Sequence, residues 1–504
     1  MRDFGAKLKN MPWNSLVLVL FALTASTISM AEVTLPSLWM DHMVVQRDLP
    51  VHVWGKATAG EKIAIHFRGA TAETVADKLG RWDALLQPGG AGGPFTMEVV
   101  ASNTIHIADI LVGDVWLASG QSNMELGTKS AMNAEEETKH AERPNIRLFH
   151  VARRSSDFPQ EDVETRGWVL CGPETVADFS AVAYFFGREI EKDQHVPIGL
   201  IEADWGGTPA ETWTSAKALS ATAGLMPAWS TWAEVSEKET SARLERTWED
   251  QQRQAAKAAG KPEPKFPWHA ELRSELPGGA FNGMIAPLVS FPIRGVIWYQ
   301  GESNTGIDRA YYYQSLFSTL IGDWRERWGQ GDFPFLYVQL ANFIAGPENH
   351  WPEVREAQRR SLNVSQTGMA VTIDIGDPEQ IHPTNKQEVG RRLSLLARSL
   401  AYNENLETSG PLYKTKMREG ASIRLYFDHV KSGLTLHGDA LTGFEIADPQ
   451  GKYFAAKARV DGETVVVTSS EVQEPTAVRY GWSASPLCNL YNKEGLPASP
   501  FTTF

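Results

Sequence analysis

The hydrophobic residues of this chain follow two different spacings, and each spacing occupies its own part of the sequence. From about residue 32 to 105, apolar and polar residues alternate, as at 51–53 and 63–67, with Gly and Pro between the runs. The alternation returns over 406–504, for example at 423–427. Alternation at every second position indicates strands with one buried face, so both of these regions are predicted to be small antiparallel β domains.

The middle of the chain carries short apolar runs separated by segments with helical spacing. The runs lie at 115–117, 200–201, 295–299, 335–340 and 370–373. Between them, apolar residues are spaced by three and four at 176–190 and 389–400. Strands buried on both faces that alternate with helices predict right-handed crossovers and a parallel sheet of about five strands.

These patterns divide the 504 residues into three predicted domains, which agrees with a chain longer than one hydrophobic core serves. They are an N-terminal β domain (32–105), a central α/β domain (106–405) and a C-terminal β domain (406–504). Within the central domain, residues 225–275 are charged, rich in Ala and then rich in Pro. We interpret this segment as a helical excursion on the surface and not as a further domain.

The first 31 residues have the layout of a secretory signal. Three basic residues precede an apolar run at 16–23, and Ser-Met-Ala at 29–31 forms a small-residue cleavage site. The apolar run is too short to span a bilayer. We therefore expect residues 1–31 to be a signal peptide and the mature protein to be secreted or periplasmic, with no membrane as a partner.

Charge and cysteine content exclude several classes of function. A net charge of −13 without a basic block disfavours nucleic acid and anionic membrane surfaces as partners. The two cysteines, Cys171 and Cys488, are too few for a disulfide-built scaffold, and Cys171 is expected to be a buried small hydrophobe. No His and Cys residues have metal-ligand spacing, so we expect neither a metal nor another cofactor.

The first loop with candidate chemistry follows the apolar run at 115–117. Residues 120–124 read Gly-Gln-Ser-Asn-Met, which places Ser122 at a tight strand-to-helix turn. Such a turn presents the hydroxyl and the backbone N–H of one residue to the same space, which suits a nucleophile that also helps to bind an oxyanion. A helix N-cap is the alternative role of Ser122. The Gly-x-Ser-x-Gly elbow of the α/β-hydrolases is absent, which disfavours that fold.

Ligands of parallel α/β sheets bind at the carboxyl ends of the strands, and three further loops there carry candidate residues. Gly206 and Gly207 allow backbone N–H groups to approach a substrate oxygen, or they form a plain turn. Asn304 offers an uncharged donor for an oxyanion, or it satisfies its own loop. His382 can act as a general base, with Glu379 three residues earlier on the same loop as its carboxylate partner.

The order Ser, Gly, Asn and acid-x-x-His, each after a separate strand, resembles that of the SGNH (GDSL-like) hydrolases. Longer blocks of sequence resemble the sialate O-acetylesterase family. These blocks lie at 113–124, 204–209, 298–304 and 381–386, with further similarity at 41–47 and 489–498. The resemblance extends over nearly the whole mature chain and implies a three-layer central domain of the SGNH type.

The resemblance also implies a role for each candidate residue. It implies Ser122 as the nucleophile and His382 as the base. It further implies an oxyanion hole formed by the Ser122 N–H, the N–H of Gly206 or Gly207, and the side chain of Asn304.

The acid that would orient the histidine is less clearly marked. Many relatives carry an Asp two positions before this His, where the present chain has Gln380. Glu379 occupies the three-before position used across the wider superfamily and is the preferred acid, with Asp377 in reserve. A Ser–His dyad without an acid is the third possibility.

The expected activity is removal of acetyl groups from sugar hydroxyls, most specifically from sialic acid, through an acetyl-serine intermediate. Gln121, Trp298 and Gln300 stand in the family's blocks and are expected to contact this O-acetylated sugar. The alternative within enzymes is an acetylxylan esterase or another polysaccharide deacetylase. From another class, the alternative is a non-catalytic carbohydrate-binding protein. The oligomeric state stays open, and bracing of the catalytic domain is the preferred role of the β domains.

Overall fold

The computed structural model describes residues 32–266, 272–346 and 348–504. The predicted signal peptide, residues 1–31, lies outside the described residues. The fold has a central sheet with helices on both faces. The N-terminal strands of the chain continue from this sheet, and the C-terminal strands form a separate β domain.

Thirteen strands build the N-terminal region and the central sheet. They are β1 (Val44–Gln46), β2 (Val51–Lys56), β3 (Lys62–Phe67), β4 (Ala70–Val75), β5 (Arg81–Leu86), β6 (Gly92–Val100), β7 (Thr104–Gly120), β8 (Arg143–Val151), β9 (Thr165–Cys171), β10 (Ile198–Asp204), β11 (Gly295–Tyr299), β12 (Phe335–Val338) and β13 (Thr367–Ala370). The central sheet has the order β13-β12-β11-β7-β10-β8-β9. Its first six strands in this order are parallel, and β9 runs antiparallel to β8 at the edge.

The parallel sheet therefore has one strand more than the roughly five that the pattern predicts. The additional strand is β8, whose apolar residues are interrupted by Arg147 and His150. Arg147 is nonetheless buried, because its guanidinium pairs with Asp109 at 3.1 Å. A charged residue with a local partner thus hides a buried strand from a search for continuous apolar runs.

The predicted boundary between the N-terminal and central domains falls inside a single strand. The first half of β7 pairs with β6 and β1, and its second half lies between β10 and β11. Burial changes along β7 from alternating to complete, without a linker. One hydrophobic core continues from the N-terminal strands into the central sheet, so a division at 105/106 has no counterpart in the fold.

Ten α-helices accompany these strands in the described part of the chain. They are α1 (Ser122–Glu125), α2 (Ala134–Lys139), α3 (Pro173–Val176), α4 (Ala181–Gln194), α5 (Ala216–Ala221), α6 (Met226–Ala258), α7 (Ile307–Ala310), α8 (Tyr313–Trp328), α9 (Trp351–Arg360) and α10 (Lys386–Leu400). Helices α4 and α10 pack on one face of the sheet, and α8 and α9 contribute to the core on the other face. The result is the predicted three-layer arrangement.

The predicted helix over 176–190 is divided into α3 and α4. Ser180 ends the gap between them, because its side chain accepts the backbone N–H of Ala183 and caps the start of α4. Ser180 also donates to the Met124 carbonyl oxygen at 2.6 Å and so connects α4 to α1. A capping serine therefore explains why the apolar spacing does not correspond to one continuous helix.

The segment predicted as a surface excursion contains α6, a helix of 33 residues. Only Ala228, Val235 and Glu249 are buried along it, which is typical of a helix that lies mostly in solvent. Among the described residues, no helix combines the length and the apolar character needed to cross a membrane.

The C-terminal strands form a β domain with its own hydrophobic core. They are β14 (Leu412–Glu419), β15 (Ser422–Asp428), β16 (Leu434–Leu436), β17 (Phe444–Ala447), β18 (Tyr453–Ala455), β19 (Lys457–Asp461), β20 (Thr464–Thr468), β21 (Ala477–Tyr480), β22 (Leu490–Asn492) and β23 (Phe501–Thr502). Two four-stranded antiparallel sheets, β14-β15-β20-β19 and β18-β17-β21-β23, provide most of this domain. Its predicted start at residue 406 falls between α10 and β14.

Neither cysteine forms a disulfide bond. Cys171 and Cys488 are both free thiols. Cys171 is buried, as predicted, and its Sγ donates to the carbonyl oxygen of Ala141 at 3.4 Å. Burial raises the pKa of the Cys171 thiol to about 12, so it stays protonated and unreactive at neutral pH.

Candidate active site

The loops that follow four strands of the central sheet carry the four groups of candidate residues. Ser122 follows β7, Gly206 follows β10, Asn304 follows β11 and His382 comes after β13. Because all four strands are parallel, their carboxyl ends lie at the same edge of the sheet. The fold therefore gathers distant parts of the chain at one place, as in other open α/β sheets.

A glycine permits the turn that presents the serine. Gly120 has a φ of +141°, and a Cβ at this position would lie 2.2 Å from the carbonyl oxygen of Tyr299 on β11. A side chain there would therefore push β11 away from β7 at the end of both strands. Ser122 follows at the start of α1, with a half-buried side chain.

The imidazole of His382 contacts the serine hydroxyl directly. Its Nε2 lies 2.8 Å from the Oγ of Ser122, across a sequence separation of 260 residues. Burial lowers the pKa of His382, and the positive charge of Lys386 lowers it further. A neutral imidazole in hydrogen-bond contact with a serine can accept the hydroxyl proton, which is the first step of nucleophilic catalysis.

No carboxylate contacts His382 within the ranges that the structure describes. Glu379 is exposed and makes no bond with the imidazole. Asp377 is also exposed, and its Oδ1 accepts the backbone N–H of Glu379 at 2.9 Å, so this carboxylate closes its own loop. The backbone N–H of His382 donates to Oε1 of Gln380 at 3.4 Å, which is a contact of the loop and not of the imidazole. The prediction of Glu379 as the acid, with Asp377 in reserve, is therefore corrected: the geometry is that of a Ser–His dyad.

Gly206 lies against the serine. A Cβ on Gly206 would be 3.4 Å from the Cβ of Ser122 and 2.9 Å from Oε2 of Glu125. Its N–H donates to the same Glu125 oxygen at 2.5 Å, and Arg153 pairs with the other oxygen of this carboxylate. Gly207 follows with a φ of +79°, in the left-handed region. The glycine pair thus lies where the sequence predicts it, with one N–H held by a carboxylate.

Asn304 is part of a buried polar network. Its Oδ1 accepts from the Ala210 N–H at 2.9 Å and from Nε2 of Gln300 at 2.7 Å. Its Nδ2 donates to Oε2 of Glu211 at 2.8 Å, and the exposed fraction of the residue is 0%. These bonds fix the orientation of the amide. That it donates a hydrogen bond to an oxyanion stays a prediction.

The chain is similar to known carbohydrate esterases over most of its length. Residues 280–398 match the family described as carbohydrate esterase, sialic acid-specific acetylesterase. The sialate O-acetylesterase of Rattus norvegicus is 30% identical, and the alignment covers 92% of this chain and 92% of the rat protein. The sialate O-acetylesterase of Homo sapiens is 29% identical over 92% of this chain and 91% of the human protein.

The chain belongs to the sialate O-acetylesterase family. It is accordingly a hydrolase that acts on carboxylic esters, with carbohydrate O-acetyl esters as its class of substrate. The crystal structure of a carbohydrate acetylesterase from Xanthomonas citri is 37% identical and has a TM-score of 0.82. The match covers 94% of this chain and 99% of that one, so the α/β centre and the flanking β regions occur together in both proteins.

All three side chains expected to contact the substrate are buried in this esterase. Trp298 is fully buried, and its ring is edge-on to Trp213 and Trp324, with centroid distances of 6.1 and 5.9 Å. Gln300 is also fully buried, in the amide network described above. Gln121 is 3% exposed, and its Oε1 accepts two backbone N–H groups of the loop after β11. Trp298 therefore belongs to the hydrophobic core, the two glutamines hold the loops, and the prediction that these three side chains contact the substrate is corrected.

The same esterase has three further polar residues in contact beside the dyad. Asn123 donates from Nδ2 to Oε1 of Glu302 at 2.6 Å and to the carbonyl oxygen of Ile381 at 2.9 Å. Its Oδ1 accepts from Nζ of Lys386 at 2.5 Å. Burial lowers the pKa of Lys386 to about 7 and raises that of Glu302. In the sequence, this contact is marked only by two charged residues, Glu302 in the block at 298–304 and Lys386 in the block at 381–386. No spacing rule connects the two.

Two buried carboxyl groups on β10 were also not recognised in the sequence. Glu202 and Asp204 share one face of the strand, and each is at most 2% exposed. Burial raises the pKa of Glu202 to about 8 and that of Asp204 well above its ordinary value. Nδ1 of His150 is 3.4 Å from Oε2 of Glu202. In the described part of the chain, no group of three or more His, Cys, Asp or Glu side chains is arranged to hold a metal ion.

Proposed function

We propose that this protein hydrolyses O-acetyl esters of sugars with Ser122 as the nucleophile and His382 as the general base. The observation that carries the proposal is the 2.8 Å contact between Ser122 Oγ and His382 Nε2. A non-catalytic carbohydrate-binding protein has no need of a serine hydroxyl in contact with an imidazole. Family membership and this contact together favour the enzyme over the binding protein.

In the proposed mechanism, His382 takes the hydroxyl proton of Ser122 while Oγ attacks the acetyl carbonyl carbon. Negative charge develops on the carbonyl oxygen and is stabilised by the Ser122 N–H, an N–H of Gly206 or Gly207, and the Asn304 side chain. The sugar oxygen leaves with the proton from His382, and the acetyl group remains on the serine. Water then attacks the acetyl-enzyme by the same steps in reverse and releases acetate.

The two glycines have different starting positions in this mechanism. The Gly206 N–H donates to Glu125 at 2.5 Å, so it can bind an oxyanion only after that carboxylate rotates. Arg153 pairs with Glu125 and lies half-exposed, where it can follow such a rotation. The proposal therefore includes a movement of the Glu125 side chain if Gly206 is the donor.

The finer substrate proposal is O-acetylated sialic acid. It is supported by the relatives from rat and human, which are named for that activity. An acetylated polysaccharide such as xylan is the second candidate, because the relative from Xanthomonas citri is more similar, at 37% identity, and its name specifies no sialic acid. Acetate release from O-acetylated sialic acid and from acetylated xylan, measured side by side at equal enzyme, separates these two.

The nucleophile is tested by Ser122→Ala. This variant should lose acetate release from para-nitrophenyl acetate while it keeps the melting temperature of the parent protein. Ser119→Ala is the matched control, since Ser119 is buried on β7 and its hydroxyl has no hydrogen-bond partner among the described residues. Full activity of Ser122→Ala, or equal loss in both variants, would overturn the assignment.

We further infer that the protein is exported. The support is the sequence layout of residues 1–31, with basic residues, an apolar run and a small-residue cleavage site in that order. Cells that express the full chain should release or hold esterase activity outside the cytoplasm, whereas a chain that begins at residue 32 should leave it inside. The same distribution of esterase activity between the cytoplasm and the outside for both chains would contradict export.

A further inference from the structure

Among the residues that the structure describes, no carboxylate orients the histidine of the dyad as in a triad, so other contacts must hold its loop. The neighbouring residue on that loop, Ile381, accepts a hydrogen bond through its carbonyl oxygen from Nδ2 of Asn123 at 2.9 Å. Asn123 is the residue directly after Ser122. One amide therefore connects the chain at the nucleophile with the chain at the base, independently of the bond between Ser122 and His382.

The orientation of this amide is fixed from both ends. Glu302 accepts from Nδ2 at 2.6 Å, and the ammonium of Lys386 donates to Oδ1 at 2.5 Å. When the pair is ionised, Glu302 can only accept and Lys386 can only donate, so a rotation of the Asn123 amide by half a turn would place like groups together. The two charges thus select one orientation, the one that directs the second N–H of Nδ2 at Ile381.

The three side chains belong to three different loops at the same edge of the sheet. Asn123 follows β7, Glu302 follows β11, and Lys386 begins α10, four residues after His382. All are shielded from water, with exposed fractions of 1% for Asn123, 8% for Glu302 and 0% for Lys386. Hydrogen bonds with charged partners are stronger in such surroundings than in water, so the arrangement is rigid.

We propose that Asn123, held between Glu302 and Lys386, is the positioning residue that keeps the imidazole of His382 on the hydroxyl of Ser122 in place of a triad acid. The inference rests on the proposed roles of Ser122 and His382. Asn123 acts through the backbone of the histidine loop and not on the substrate. Glu302 and Lys386 act one step further away, because they fix the amide that fixes the loop.

The proposal is tested with variants of Asn123 in the full chain. Asn123→Ala removes the bond to Ile381 and should lower kcat with para-nitrophenyl acetate by about 10²-fold, the cost of a misplaced catalytic group, with little change in KM. The rate at which a fluorophosphonate labels Ser122 should fall in parallel, since that reaction also needs the base. Unchanged kcat and labelling rate would overturn the proposal.

A matched control separates positioning from simple loss of stability. Asn492 is also fully buried and bonds to backbone groups, through Nδ2 to Ser409 and through Oδ1 from Leu496, but it lies in the C-terminal domain. Asn492→Ala should lower the melting temperature as Asn123→Ala does and leave kcat unchanged. Equal loss of kcat in both variants would show that Asn123 is only a structural residue.

Two variants of Glu302 keep the test decisive if Asn123→Ala does not fold. Glu302→Gln retains an oxygen that can accept from Asn123, so it should keep most of kcat, whereas Glu302→Leu removes the acceptor and should lose it. Equal activity of the two would contradict the proposal. If Ser122→Ala kept its esterase activity, the proposed function would be wrong. If Ser122→Ala lost activity and Asn123→Ala kept all of it, only the positioning role of Asn123 would be wrong.

Discussion

Glu125 accepts the backbone N–H of Gly206 at 2.5 Å, and Gly206 in turn lies against Ser122. One of the two glycine N–H groups proposed to stabilise the oxyanion is therefore directed at a carboxylate. This relationship makes Gly206 sensitive to any added atom, because a Cβ would lie 2.9 Å from Glu125 Oε2 and 3.4 Å from Ser122 Cβ.

Gly206→Ala should therefore lower kcat by displacing the serine or the Glu125 carboxylate. Complete loss of one oxyanion donor costs on the order of 10²–10³ in kcat, and this sets the upper limit of the fall that we expect from a displaced donor. Gly224→Ala is the control, since a Cβ there meets nothing within 4 Å. Turnover of para-nitrophenyl acetate measures both, and parent-level kcat in Gly206→Ala would contradict the close approach.

The charge of Lys386 should be visible in the pH dependence of the reaction. Burial and the Lys386 charge both lower the pKa of His382, and the reaction needs the neutral imidazole, so kcat/KM falls as the pH decreases through that pKa. Lys386→Met removes the charge, which raises the pKa of His382 and moves the acidic limb of kcat/KM to higher pH.

The measurement is the pH at the midpoint of the acidic limb of kcat/KM. The maximal rate should also fall in Lys386→Met, because Asn123 loses one of its hydrogen-bond partners. Lys192→Met is the control, since the Lys192 side chain is 69% exposed and lies on α4. An acidic limb that stays in place, or that moves to lower pH, would show that Lys386 does not act on His382 through its charge.

The features that the sequence predicts well have a local signal. The apolar runs at 115–117 and 295–299 became β7 and β11 because burial on both faces requires an unbroken apolar stretch. Ser122 follows one of these runs directly, so its place at the sheet edge is a consequence of the strand. β8 was missed because Arg147, with its partner Asp109, interrupts the same kind of run.

Contacts between loops depend on side-chain direction, which spacing does not show. Glu379 lies three residues before His382 and is exposed, whereas Lys386 lies four residues after it and is fully buried. The difference arises because Asp377 bonds to the Glu379 backbone and closes a turn, while Lys386 begins a helix packed on the sheet. A sequence that places both residues near the histidine cannot distinguish these outcomes.

Arg355 should be important for the attachment of the C-terminal domain and not for catalysis. Its guanidinium is fully buried and donates to four carbonyl oxygens, those of Leu340 and Ala341 in the central domain and of Ser483 and Ala484 in the C-terminal domain. Arg355→Met removes one donor from each of these oxygens, although Ala341 keeps the indole N–H of Trp351 and Ala484 keeps the backbone N–H of Phe343. It should lower the free energy of unfolding by on the order of 3 kcal/mol. Arg459→Met, at a 65% exposed side chain, is the control.

Denaturant unfolding measures this difference, and kcat of the folded Arg355→Met protein should match the parent. A stability equal to that of Arg459→Met would mean that the carbonyl oxygens find other donors. Loss of kcat without loss of stability would instead connect Arg355 to the active site, contrary to the geometry.

In the described structure, no carboxylate contacts His382, so the carboxylates on its loop should not be needed for catalysis. In a triad enzyme, replacing the acid by its amide lowers kcat by about 10⁴-fold, because the histidine then adopts the wrong tautomer. Glu379→Gln and Asp377→Asn should each leave kcat close to that of the parent, since both side chains are exposed and neither bonds to the imidazole.

The double variant Asp377→Asn/Glu379→Gln guards against one carboxylate replacing the other. Its kcat with para-nitrophenyl acetate should also stay near the parent value, with Asn123→Ala as the comparison that loses activity. A fall of about 10²-fold or more in either single variant would mean that the loop turns a carboxylate onto His382 during the reaction, and that the esterase works as a triad after all.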